Sequence, residues 1–201
     1  MTNMVIPTDV TSIGGYTFKN CLALEEITLP ENLSTIGEAA LYGCSNLKEI
    51  VIPDTVTKIN SYAFKNCASL KDIKLSDVMT KISESCFYGC ISLENLVLPD
   101  SITNIDAYAF RKCSSLENVE FSSELTTIGE SAFYGCEALT SITVPEKVTS
   151  IDAYAFKSCT GAKEVTLPDS LETIGESAFY GCTGMTELVI PCHVQTIEAY
   201  A

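Results

Sequence analysis

Apolar positions along the chain change period within every stretch of 23 residues, and that change predicts local structure. In Leu70-Lys71-Asp72-Ile73-Lys74-Leu75 apolar and polar residues alternate around Ile73 and Leu75, the signature of a short strand with one buried face. Val56-Thr57-Lys58-Ile59 turns two more apolar residues inward and predicts a second short strand. Tyr62-Ala63-Phe64-Lys65-Asn66-Cys67 then sets small, aromatic and thiol residues at roughly helical spacing, which predicts one helical turn. Pro53, Pro99 and Pro145 follow the last core residue of the first strand, where a missing N–H ends the pairing at little cost.

The pattern recurs without interruption. Ile13, Ile36, Ile59, Ile82, Ile105, Ile128, Ile151, Ile174 and Ile197 stand 23 residues apart, and Cys21, Cys44, Cys67, Cys90, Cys113, Cys136, Cys159 and Cys182 keep the same step. Eight full units cover 4–187 and a ninth, 188–201, is cut short, which predicts a single domain over 1–201 and a fragment of a larger protein. No unit can bury its apolar face alone, so the units stack as coils of a solenoid with a shared core. The expected architecture is β-rich, with about nine coils. Met4–Ile6, Ile27–Leu29, Ile50–Ile52 and their equivalents form a parallel sheet, and a second short strand and a one-turn helix complete each coil.

The unit LxxIxIPxxVxxIxxxAFxxC resembles the BspA-like class of leucine-rich repeats, over residues 4–201. Departures are local: Ser76 and Ser122 replace the Pro, Leu41 the Phe, Thr17 and Cys86 the Ala, and Ala162 and Met185 the Leu. The resemblance implies a leucine-rich-repeat solenoid of the kind found in surface proteins of mucosal bacteria and parasitic protozoa. It also implies an adhesion or protein-binding module at the cell surface or in secreted form. The alternative is an intracellular scaffold or a structural spacer without a specific ligand.

Charge bears on the partner. Twelve Lys and Arg against 26 Asp and Glu give a net charge of -14, so nucleic acid or an anionic membrane would be bound against repulsion. No apolar stretch is long enough for membrane insertion, and the opening Met-Thr-Asn-Met-Val-Ile-Pro lacks the basic start of a signal peptide. The acids fall in columns. Glu31, Asp54, Asp77, Asp100, Glu146 and Asp169 follow the Pro position, while Glu26, Glu49, Asp72, Glu164 and Glu187 precede the main strand. Outward strand positions Thr28, Val51, Lys74, Val97, Glu120 and Thr143 vary where the rest of the unit is nearly constant. The expected ligand surface is therefore Glu26, Thr28, Glu49, Val51, Asp72, Lys74, Val97, Glu120 and Thr143, on the inward-curving sheet. Its expected occupant is a protein or peptide with a basic patch. Calcium bridging by the Asp column is a competing reading, although nothing resembles a dedicated calcium loop.

A finer pattern doubles the period. Odd units carry Tyr62 with Lys65, Tyr108 with Arg111 and Tyr154 with Lys157; even units carry Glu84 with Tyr88, Glu130 with Tyr134 and Glu176 with Tyr180. At a spacing of about 4.8 Å between coils, each base should meet a Tyr and a Glu of its neighbours in cation–aromatic and ion-pair contacts. An aromatic ligand-binding stripe is the functional alternative.

The remaining chemistry is sparse. Eight of the ten cysteines share one column beside the Phe column and are expected as reduced, buried thiols, since neighbours about 4.8 Å apart are too far for a relaxed disulfide. Cys192 stands in an Asp column near an open end and is the candidate for an intermolecular disulfide. No zinc set, phosphate loop or nucleophile–base pair forms around the lone His193, so no catalytic residue, metal or cofactor is expected. Solenoid ends without caps leave strand edges open, so a homodimer through those ends is also expected.

Overall fold

The computed structural model describes residues 2–201 as a parallel β-solenoid with no helix among them. Each turn carries a three-residue strand, eight of them from Asn3–Val5 to Glu164–Thr166. A two-residue strand follows, nine of them from Ser12–Ile13 to Thr196–Ile197. Register is one repeat throughout, as in Ile50 opposite Ile73 and Ile105 opposite Ile128. The longer strands start one residue before the expected position, so Glu26, Glu49 and Asp72 open their strands instead of preceding them.

Stacking turns side-chain columns into the core. Phe64, Phe87, Phe110, Phe133, Phe156 and Phe179 form a ladder of near-parallel rings, with centroids 5.2 to 5.6 Å apart. The Leu24, Leu47 and Leu70 column and the Ile36, Ile59 and Ile82 column are buried beside it. Cys44 through Cys182 are buried free thiols, and the seven of the repeating column each donate to a carbonyl of the preceding turn, as in Cys90 to Phe64 at 3.2 Å and Cys113 to Phe87 at 3.2 Å. Burial pushes the Cys113 thiol up to about 12 and Cys44 up to about 11, because a thiolate there would lose its water.

The expected one-turn helix is absent, and the backbone gives the reason. Tyr62 and Asn66 have φ of 63° and 60°, and a left-handed residue interrupts a right-handed helix. Amides then alternate between two acceptors. Tyr62, Phe64 and Asn66 donate to Glu84, Cys86 and Tyr88 of the next turn, while Lys65 and Cys67 donate three residues back to Tyr62 and Phe64. Even turns place Gly43, Gly89, Gly135 and Gly181 at the second left-handed site, where odd turns have Asn20, Asn66, Lys112 and Ser158. At Gly89 a Cβ would also fall 2.4 Å from Asn66 Oδ1, so the alternation is steric as well as conformational. Ser76 and Ser122 replace the strand-ending proline by accepting from the amides of Val78 and Glu124.

The doubled period reaches the sheet itself. Instead of one continuous sheet, the longer strands pair two by two: Asn3–Val5 with Glu26–Thr28, Glu49–Val51 with Asp72–Lys74, Asn95–Val97 with Asn118–Glu120, and Ser141–Thr143 with Glu164–Thr166. Just before the strands, hydrogen bonds within a pair are 2.8 to 2.9 Å (Lys71 to Lys48, Glu117 to Glu94, Lys163 to Thr140). Those crossing between pairs lengthen to 3.1 to 3.3 Å (Lys48 to Glu25, Glu94 to Lys71, Thr140 to Glu117). Seams therefore open on one side of every even-turn strand. Ile73, Val119 and Val165 of three even turns are only partly buried, whereas Ile27 of the first even turn and Ile50, Leu96 and Ile142 of the odd turns are buried.

The shorter strands break once, between Lys58–Ile59 and Lys81–Ile82. Elsewhere the residue after the strand donates its amide to the preceding turn, as Gly37 does to Ile13 and Asp106 to Ile82. At the break the Ser83 hydroxyl takes the Ile59 carbonyl instead. Other even turns have glycine at this position, and a Cβ on Gly129 would meet the backbone of Asp106 and Ala107 at 2.8 to 2.9 Å. Ser83 carries the side chain that the column excludes, and the local sheet gives way.

Candidate binding surface

All nine expected surface residues lie on the longer strands with exposed side chains: Glu26, Thr28, Glu49, Val51, Asp72, Lys74, Val97, Glu120 and Thr143. Strand pairing decides which are neighbours. Val51 stands opposite Lys74, Glu49 opposite Asp72, and Val97 opposite Glu120. Thr28 faces Val5 and Thr143 faces Thr166, two positions that sequence spacing did not single out.

Five of the nine converge at the first seam. An open cleft of about 360 Å³ between Glu26–Thr28 and Glu49–Val51 is lined by Glu26, Thr28, Glu49, Val51 and Lys74, together with Glu31 and Asp54. Lys74 reaches Asp54 at 3.7 Å, an exposed pair of little energetic weight. The cleft is thus rimmed by four carboxylates and one base, with apolar Val51 at its floor edge. Glu31 and Asp54 were legible as an acidic column but not as part of this surface. Asp72, Val97, Glu120 and Thr143 continue along the same face outside the cleft.

The structure refines the pattern of variation. Val5, Val51, Val97 and Val189 stand in odd turns and are 57 to 74% exposed, with Thr143 breaking the series between the last two. Variation is concentrated in the intervening turns, at Thr28, Lys74, Glu120 and Thr166. A row of apolar contacts alternates with a row of changing polar ones. Lys48 and Lys71, one residue ahead of the strands, are paired with Glu25 and Glu94 at 2.6 and 3.1 Å, which leaves the strand-opening acids without those bases.

The tyrosine stripe takes a different form from the expected one. Lys19, Lys65, Arg111 and Lys157 do sit over tyrosine rings, as with Lys65 at 5.3 Å from Tyr62 and 4.4 Å from Tyr88. The expected ion pairs do not form among the described residues. Glu38, Glu84, Glu130 and Glu176 instead accept from Tyr16, Tyr62, Tyr108 and Tyr154 at 2.5 to 2.8 Å. Those hydrogen bonds to carboxylates raise the tyrosine pKa values above their usual range.

Cys192 is exposed, with its sulfur 3.7 Å from Nδ1 of His193. Among the described residues no group of three or more His, Cys, Asp and Glu side chains is placed to hold a metal ion.

A parallel solenoid of 23-residue turns, presenting strand faces and open clefts, defines a repeat protein. The chain belongs to the BspA type leucine rich repeat family, whose model matches in 6 copies over residues 1–113 and 80–201. No curated protein sequence matches it. Among solved structures it is similar to a leucine-rich repeat protein of T. pallidum, at 26% identity and a TM-score of 0.71 over 92% of this chain and 78% of that one. It is also similar to one from Bacteroides ovatus, at 26% identity and a TM-score of 0.52 over 98% of this chain and 74% of that one. A leucine rich cell surface protein from Faecalibacterium prausnitzii gives 29% identity and a TM-score of 0.59, with all of this chain covering 60% of that one.

Proposed function

We propose that this chain is the protein-binding part of a cell-surface or secreted adhesin-like protein, and that its longer-strand face reads an extended segment carrying basic side chains. The observation that carries this reading is the seam cleft, where Glu26, Glu31, Glu49 and Asp54 surround exposed Val51. Exposed Val5, Val51 and Val97 supply apolar contact in three successive odd turns, and carboxylates favour a cationic partner and speed its approach. The F. prausnitzii relative, described as a cell surface protein, supports the location.

The test is capture of host surface proteins on the immobilised chain, followed by the combined substitution of Val51, Lys74, Val97 and Glu120 by Ser. Capture should fall at least about tenfold with little change in melting temperature, and should weaken with salt because exposed charges are screened over about 8 Å. Retained capture, with loss on Tyr88→Ala and Tyr134→Ala, would place the ligand on the opposite stripe. No specific capture at all would favour a spacer.

A further inference from the structure

The chain is acidic overall, yet one place on the tyrosine stripe is basic. Arg111 is the only arginine, and Arg111–Lys112 is the only adjacent pair of bases. Two turns on, Lys157 comes to the same tyrosine: the Arg111 guanidinium lies 4.3 Å from the Tyr134 ring centre and the Lys157 ammonium 6.0 Å from it. A cleft of about 250 Å³ opens between them, lined by Arg111, Glu130, Ser131, Tyr134, Tyr154 and Lys157.

Three features leave the bases of this cleft without a charged partner. Arg111 Nε is buried and has no hydrogen-bond partner, a cost that the fold leaves uncompensated. Among the described residues, Arg111, Lys112 and Lys157 form no salt bridge. The one carboxylate in the lining, Glu130, already accepts from Tyr108 at 2.6 Å. Cation–aromatic contacts hold the two charges in place without neutralising them.

We propose that this cleft binds an oxyanion, a sulfate or carboxylate group, either free or carried on a sugar. The planar guanidinium of Arg111, held over Tyr134, offers its terminal N–H donors to two oxygens of such a group. Lys157 adds a mobile second charge from the far side of Tyr134. Glu130 opposes the ligand and sets an upper limit on affinity. The site lies on the tyrosine stripe, away from the acidic strand face, and does not depend on what that face binds.

The experiment is an amide NMR titration of the chain with sodium sulfate at fixed ionic strength, and in parallel with a sulfated disaccharide. Saturable shifts at Ser131, Tyr134 and Lys157, absent with sodium chloride, are expected. Arg111→Ala should weaken binding at least tenfold, Arg111→Lys should weaken it less, and Glu130→Gln should strengthen it several-fold. Lys65→Ala, at the equivalent position two turns earlier, should leave it unchanged. A melting curve for each variant confirms that the fold is intact. Tighter binding of the disaccharide than of sulfate assigns the group to a glycan, while equal binding assigns it to the free ion; both sustain the oxyanion site. Shifts that do not saturate, or that persist at full strength in Arg111→Ala, overturn it.

Discussion

The phenol of Tyr62 donates to Oε1 of Glu84, one turn further along the solenoid, at 2.8 Å. The same contact joins Tyr16 to Glu38, Tyr108 to Glu130 and Tyr154 to Glu176. A carboxylate acceptor favours the protonated phenol, so the folded-state tyrosine pKa lies above the unfolded one. Stability from such a group is fully present below the unfolded value and is lost as pH rises through the folded one. The buried thiols from Cys44 to Cys159 have the same sign and act from a lower pH, since Cys113 moves from the ordinary 9.0 to about 12. The melting temperature should therefore fall above about pH 9, and replacing the four tyrosines with Phe should make the fall above about pH 10 shallower, leaving the part that the thiols cause. A melting temperature that rises over this range would contradict the assignment.

Phe110 lies between Phe87 and Phe133 in the ring ladder and is fully buried. Phe110→Ala should cost about 3 to 5 kcal/mol through the cavity left between two turns. Chemical denaturation measures it, and a loss below about 1 kcal/mol would mean that neighbouring turns collapse into the space.

Thiol reactivity should divide the cysteines. Cys192 is exposed and Cys21 half-buried, while the other eight are buried. In native conditions an alkylating reagent should label Cys192 first and Cys21 more slowly, with the buried eight labelled only on unfolding. Mass spectrometry after timed quenching reads the order directly.

Ser83 breaks a column of glycines. Ser83→Gly restores the residue found at Gly37, Gly129 and Gly175, and should let the amide at 83 replace the hydroxyl on the Ile59 carbonyl. A glycine in regular structure usually costs about 0.5 to 1 kcal/mol, but here the change should be neutral or stabilising. The reverse change, Gly129→Ser, drives a Cβ into the backbone of the preceding turn and should cost about 2 kcal/mol or more. Urea denaturation of the two variants should show opposite signs.

Pairing two by two makes 46 residues the structural unit. Deleting 73–95 would set two odd turns against each other, leaving Tyr62 without its glutamate and Lys65 without Tyr88. Deleting 73–118 keeps the alternation. In a linear array stability normally grows with the number of turns. The shorter chain left by the two-turn deletion should nevertheless melt at a higher temperature than the one-turn deletion, and the opposite order would show that the single turn is the unit.

Much of this architecture was legible because its signals are local. The alternation around Ile73 marked a strand, and an unbroken 23-residue step placed the Ile, Phe and Cys columns in a common core. The same step put all nine surface residues on one exposed face. The helical turn at 62–67 was misread because small and aromatic residues spaced for a helix also suit a coil whose amides point alternately back and forward. Only the left-handed angles at Tyr62 and Asn66 tell the two apart.

By itself, the sequence determined the repeat length, the parallel register, the identity of the core columns and the odd–even alternation, since all of these follow from which residue recurs at which step. Tertiary structure alone decided how neighbouring turns use that alternation. It joined the strands in pairs, opened the seam that gathers Glu26, Glu31, Glu49 and Asp54, and gave Glu84 to the phenol of Tyr62 and not to Lys65. The reason is competition in space: several donors come within reach of each acceptor once the turns stack, and differences of a few tenths of an ångström between turns select among them. Linear spacing carries no information at that scale.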